Sequence, residues 1–168
     1  FDSVTGLANR IMFIDRLNQS VMHARRLKLM VGVLCMGIDL KGLLGPEGDT
    51  ELEKKLLPGV AERLREVARS HDTIARVSRD EFAILQRDVS GKAELEELAR
   101  LIVKSFSRPV QADGYELYLT PSVGISVYPR DSRETEQLLD NANLAMRHAR
   151  KHERIGYRFF SSDMADAA

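Results

Sequence analysis

The chain has 168 residues, 43% hydrophobic and 30% charged, which is enough to bury a real core within a single domain. Lys plus Arg balance Asp plus Glu at 25 each, so no overall field favours nucleic acid or an anionic membrane, and with 6% aromatics and no Trp a base-stacking RNA platform is argued against too. The single cysteine, Cys35, lies in an apolar run and cannot form an internal disulfide, so a reducing compartment, the cytoplasm, is expected.

Asn9 is the expected cap of a helix running to about Arg26, with Phe13, Leu17, Val21 and Ala24 at helical spacing. Leu29 to Asp39, "LMVGVLCMGID", is short, apolar and rich in strand formers, and reads as a buried strand. The glycine-rich "LKGLLGPEGDTE" reads as turn-like. A helical pattern follows through Leu52, Leu56, Val60, Leu64 and Val67, and Pro58 inside it either starts the helix or kinks it. Two strands are expected over Thr73–Val77 and Phe82–Arg87, then a helix from about Lys92 to Ser107, stopped by Pro109. "VQADGYELYL" reads as a hairpin around Asp113-Gly114, and Ser122–Pro129 as a further strand. Thr135–His152 is the final long helix, and Phe159-Phe160 is expected to add an edge strand.

This order of hairpins and crossovers predicts an α+β fold of the split βαβ type, with helices packed mainly on one face of the sheet. No signal peptide is expected, and no apolar run in the sequence is long enough to span a bilayer, so no membrane contact by this domain is expected. The abrupt start at Phe1-Asp2 and the end in "SSDMADAA" are what one module of a longer protein would show.

The stretch "ARVSRDEFAIL", Ala75 to Leu85, places two acids at the tip of a hairpin beside a serine and an arginine. It resembles the R-x-G-G-[DE]-E-F signature of the GGDEF domain, the diguanylate cyclase family. Three other stretches resemble the same family in the right order: "FDSVTGLANRIMF" at the start, "RSHD" (Arg69 to Asp72) five residues before the signature, and "NANLAMRHARKHER" in the last helix. Single short patterns recur by chance, but four at the right spacing are specific. The resemblance implies a ferredoxin-like, nucleotide-cyclase-type fold with a central, mostly antiparallel sheet flanked by helices. It also implies an activity joining two GTP molecules into cyclic di-GMP, with Mg2+ whenever GTP is bound and a homodimer to bring two half-sites together. Residues 1–160 would be the domain and residues 161–168 the start of a linker, since "YRFFSSDM" is similar to the link by which many such domains run into an EAL phosphodiesterase domain.

Several positions depart from the family pattern. Joining a 3′-hydroxyl to an α-phosphate needs metal ions held by carboxylates. The third signature position, Asp80, suits a metal, but the first-strand position is Gly37, and Asp39 holds only the second acid, two residues further on. The signature glycines let a nucleotide approach the hairpin, and Ser78 and Arg79 replace them ahead of Asp80, Glu81 and Phe82. Arg79 is expected to close the pocket or, alternatively, to meet a phosphate. Counted without gaps, the family's phosphate lysine and guanine-reading asparagine fall at Gly42 and Gly45, and its guanine-reading acid at Lys54, which can only donate. In the last helix Arg150 stands where the family has a phosphate lysine, and Arg154 matches its arginine.

Arg69 and Asp72 resemble the family's inhibitory site, where an arginine takes guanine or phosphate and a carboxylate accepts from guanine N–H groups. The bland alternative is a solvated helix end with a local ion pair of little worth. The resulting expectation is a catalytically degenerate, regulatory domain that senses cyclic di-GMP or GTP. An active cyclase relying on Asp80, or a purely structural domain, are the alternatives.

Overall fold

A computed structural model describes residues 1–45, 48, 50–152 and 156–166. Its centre is the apolar run noted above, strand β1 (Met30–Gly37), buried almost along its whole length. Val31, Val33 and Cys35 enter one core while Leu34 and Met36 enter another, so β1 is covered on both sides. It pairs antiparallel with β3 (Glu81–Val89) and with β6 (Ser122–Tyr128), which puts Glu81 and Ser122 on either side of Gly37. Strand β2 (Thr73–Ser78) lies outside β3, and β7 (Tyr157–Phe159) joins β6 in parallel, giving the order β2-β3-β1-β6-β7. The four antiparallel strands and their crossovers form the expected split βαβ arrangement.

Helices cover both faces, which corrects the expectation of a mainly one-sided sheet. Helices α1 (Arg10–Leu27) and α5 (Thr135–His152) close the core around Val31, Val33 and Cys35. Helices α3 (Thr50–Val67) and α4 (Lys92–Ser105) close the one around Leu34 and Met36. The physical reason is the composition of β1 itself: apolar side chains at successive positions leave two faces to be dried. Burial also pushes the Cys35 thiol far above its ordinary range, which leaves it an inert core residue.

Asn9 does cap α1, its side-chain oxygen accepting from the Met12 N–H at 2.9 Å. Asn9→Ala is expected to cost about 1 kcal/mol and to lower the thermal midpoint by a few degrees, read by circular dichroism. Helix α3 carries Pro58 in its interior instead of starting there. Pro58 and Lys54 are both exposed, so water can take the Lys54 carbonyl that the missing N–H leaves over. The hairpin of β4 (Val110–Ala112) and β5 (Tyr115–Leu117) turns at Asp113 and Gly114, with φ of 52° and 80°, as a two-residue loop requires.

Two short helices were not expected. One, α2 (Leu40–Leu44), starts inside the stretch read as a turn, and the other, α6 (Asp163–Asp166), falls in the presumed linker, with Met164 buried. Among the described residues no helix is long and apolar enough to cross a membrane.

Candidate functional site

The β2–β3 hairpin projects Ser78, Arg79 and Asp80 at its tip while Phe82 anchors its base, fully buried. Neither Ser78 nor Arg79 has a positive φ, so the tip backbone itself does not call for glycine. The Arg79 guanidinium turns to α3, where its Nε donates to Glu53 Oε1 at 2.6 Å. That hydrogen bond, and then the Glu53 charge, raise the Arg79 pKa above its ordinary value. Glu53 itself is largely buried, its side chain 11% exposed. From below, Arg76 Nη2 donates to the Arg79 carbonyl at 2.9 Å and Nη1 approaches Asp2 at 3.3 Å. The tip is thus tied to α3 and to the N-terminal segment.

The two acids of the tip have different surroundings. Glu81 accepts from the Ser78 hydroxyl at 2.8 Å and from the side-chain amide of Asn143 on α5. The Asp80 carboxylate makes no hydrogen bond or ion pair among the described residues, although its main-chain oxygen accepts from the Ile38 N–H at 3.1 Å. At the end of β1, a Cβ on Gly37 would stand 2.6 Å from Met146 Sδ and against the guanidinium of Arg150, both from α5. Asp39 lies just past β1 and caps α2, accepting from the Gly42 N–H at 2.9 Å. A Cβ on Gly42 would collide with that carboxylate, and Gly45, with φ of 90°, sits where L-residues are strained. Lys54 is exposed on α3, whereas its neighbour Glu53 faces inward.

These residues do not fit a pair of Mg2+ ions. One carboxylate, Asp80, is at liberty; Glu81 is engaged twice, and a guanidinium covers the place where a second first-strand carboxylate would stand. Among the described residues no group of three or more His, Cys, Asp or Glu side chains could hold a metal ion.

Arg69 and Asp72 form a tight turn between α3 and β2. The Asp72 carboxylate accepts from the Arg69 N–H at 2.9 Å, from Arg69 Nε at 3.2 Å and from Gln86 Nε2 at 3.5 Å, and its side chain is fully buried. It is therefore no solvated helix-end acid. The Arg69 guanidinium, 38% exposed, also reaches the Arg87 carbonyl at 3.4 Å and lies 3.9 Å from Glu94 of α4. Glu94 is held below the usual carboxylate range chiefly by the Ser90 hydroxyl, and so stays charged beside it. Arg69 keeps unused donors at the mouth of a 570 Å3 groove lined by Gln86, Glu94, Glu97 and Leu101. Arg150 is exposed and makes no ion pair among the described residues; Arg154 lies outside them.

Sequence reasoning missed Glu53, Gln86 and Asn143. Glu53 carried a signal, falling three and four residues before Leu56 and Leu57 on the inward stripe of α3. Asn143 and Gln86 carried none, since their partners are distant in the chain.

The family model for the diguanylate cyclase GGDEF domain matches residues 1–155. The bifunctional diguanylate cyclase/cyclic di-GMP phosphodiesterase MucR of Pseudomonas aeruginosa is 38% identical over 163 residues, 97% of this chain and 24% of that protein. The diguanylate cyclase TpbB of the same organism is 31% identical over 159 residues, 91% of this chain and 35% of that protein. The chain therefore spans only about a quarter to a third of these relatives. The solved GGDEF domain of TpbB superposes with a TM-score of 0.89 at 27% identity, covering 99% of this chain and 97% of that one.

Proposed function

The chain belongs to the GGDEF domain family, and from that premise we propose that it serves cyclic di-GMP signalling as a regulatory, nucleotide-sensing module and not as a cyclase. One observation carries this reading: at the first-strand metal position there is Gly37, and the space above it holds the Arg150 guanidinium and the Met146 thioether. With no carboxylate at position 37, one of the oxygen ligands that the family chemistry needs for its metal ions is missing. The Arg79–Glu53 pair supports the same reading, because it spans from the hairpin tip to α3.

In this reading Arg69 is the residue that takes cyclic di-GMP, offering its spare N–H groups to guanine or phosphate. Asp72 positions that guanidinium through Nε. The neighbouring domain that would receive the signal is of the phosphodiesterase type, in keeping with MucR, which is described as bifunctional and is about four times as long as the match. We place the domain in the cytoplasm, where a buried free thiol such as Cys35 stays reduced.

Calorimetric titration of cyclic di-GMP into the chain and into Arg69→Ala tests this. Micromolar binding that weakens at least about tenfold in the variant supports the receptor. The description of TpbB as a diguanylate cyclase favours a second reading, an active enzyme. Cyclic di-GMP formed from GTP and Mg2+, and abolished by Asp80→Asn, would establish it and end the regulatory one.

A further inference from the structure

Strand β7 ends the sheet, and its outer edge is unpaired. Gly156 O accepts from the Val123 N–H at 2.8 Å, and the Phe160 N–H donates to Ile125 O at 2.7 Å, so the even-numbered residues here turn their backbone groups to β6. The N–H and C=O groups of Tyr157 and Phe159 therefore point the other way, where no strand pairs with β7 among the described residues. Such an edge is a template for another extended segment. Beside it lies a groove of about 440 Å3, lined by Glu97, Arg100, Leu101, Val103 and Lys104 of α4 and by Tyr157. Glu97 and Leu101 form the ridge between this groove and the one beside Arg69, whereas Val103, Lys104 and Tyr157 lie on this side alone. Tyr157 and Phe159 turn their rings toward the core under α4, so a strand added outside β7 would lay alternate side chains over the groove.

Charge decides what such a strand must be. The one acid lining the groove, Glu97, is engaged by Arg100, and the Lys104 ammonium makes no ion pair among the described residues. At the Phe159 end, Lys92 Nζ lies 4.6 Å from the ring centre and the Arg130 guanidinium 5.8 Å from it. Lys92 and Lys104, at opposite ends of α4, stand about 18 Å apart along the helix, a span that six steps of a strand cover. A second copy is a poor occupant. Antiparallel pairing about the middle of β7 would set the exposed Arg158 directly opposite its own twin, and like charges so placed repel. The same cations suit a segment that carries carboxylates.

We propose that the β7 edge and the adjoining α4 groove are a docking surface for a partner protein, which adds an extended segment with apolar residues at alternate positions and an acid at each end of the same face. Main-chain hydrogen bonds to Tyr157 and Phe159 hold the segment, its apolar side chains cover Leu101 and Val103, and its carboxylates meet Lys104 and Lys92.

Titrating the end-capped peptide Glu-Thr-Val-Thr-Val-Thr-Glu into the 15N-labelled chain tests the surface by amide chemical shifts. Saturable shifts centred on Leu101, Tyr157 and Phe159 are expected, and at ten times the Kd the Tyr157 and Phe159 amides should exchange about tenfold more slowly. Lys104 is exposed, so Lys104→Glu should keep the native spectrum while weakening binding at least about threefold. Of two peptides N-methylated at successive central residues, one should lose binding and the other keep it, because only alternate N–H groups face β7. Arg69→Ala should leave the affinity within about twofold, which separates this surface from the cyclic di-GMP reading. Shifts that never saturate, equal binding of the same peptide with Lys for Glu, equal effects of the two methylations, or self-association of the chain that protects Tyr157 and Phe159 would overturn the proposal.

Discussion

An Asp72→Ala variant is expected to lose about 2–4 kcal/mol of stability, read as a lower midpoint in urea with an unchanged slope. The carboxylate removed is fully buried and serves the Arg69 N–H, Arg69 Nε and the Gln86 amide. Gln86 Oε1 is already buried without a partner, so the truncation leaves both ends of that side chain unsatisfied. Asp72→Asn keeps one acceptor for the Arg69 N–H, and about half the loss is expected of it. A wild-type midpoint in Asp72→Ala would show that the turn does not depend on this residue. The result bears on function: loss of nucleotide binding on removing Asp72 would report a collapsed turn as readily as a lost contact. Arg69→Ala, which removes donors from a half-exposed side chain, is the cleaner probe.

Gly124→Val is expected to cost more, about 4 kcal/mol or above, which consumes most of the stability of an ordinary domain. Gly124 lies in β6 where α5 crosses it. A Cβ there would stand 2.8 Å from the Ala145 carbonyl carbon and closer still to Ala142 O and Met146 N. All three are backbone atoms, so no rotamer change relieves the contact and the helix has to lift from the sheet. Gly124→Ala should show the same effect at roughly half the size, and thermal unfolding of both variants measures it. Because α5 also carries Asn143, Met146 and Arg150, a lifted helix would disturb the surroundings of Glu81 and Gly37 together.

Local chemistry in the sequence foretold much of this fold. The bounds of α5, Thr135–His152, follow from periodicity alone, and the Asn9 cap and the Asp113-Gly114 turn from their own side chains and φ preferences. Which face each crossover helix takes was not legible, because element order carries no sidedness; the two-sided burial of β1 would have told it. The site was legible as positions and not as contacts. That Gly37 lacks a carboxylate could be read directly, whereas the occupation of its space by Arg150 needed α5 laid over β1. Likewise Arg79 was foreseen as an obstruction or a phosphate ligand, but Glu53, 26 residues away, was not foreseen as its partner.

The guanidinium over Gly37 also constrains how the domain can change. A single substitution restoring aspartate at position 37 would set a new carboxylate beside Arg150, whose flexible end can shift to meet it. The pair that formed would be a salt bridge, its oxygens already spent before any divalent cation arrived. A divalent cation at positions 37 and 80 would therefore have to compete with that pair for the new carboxylate.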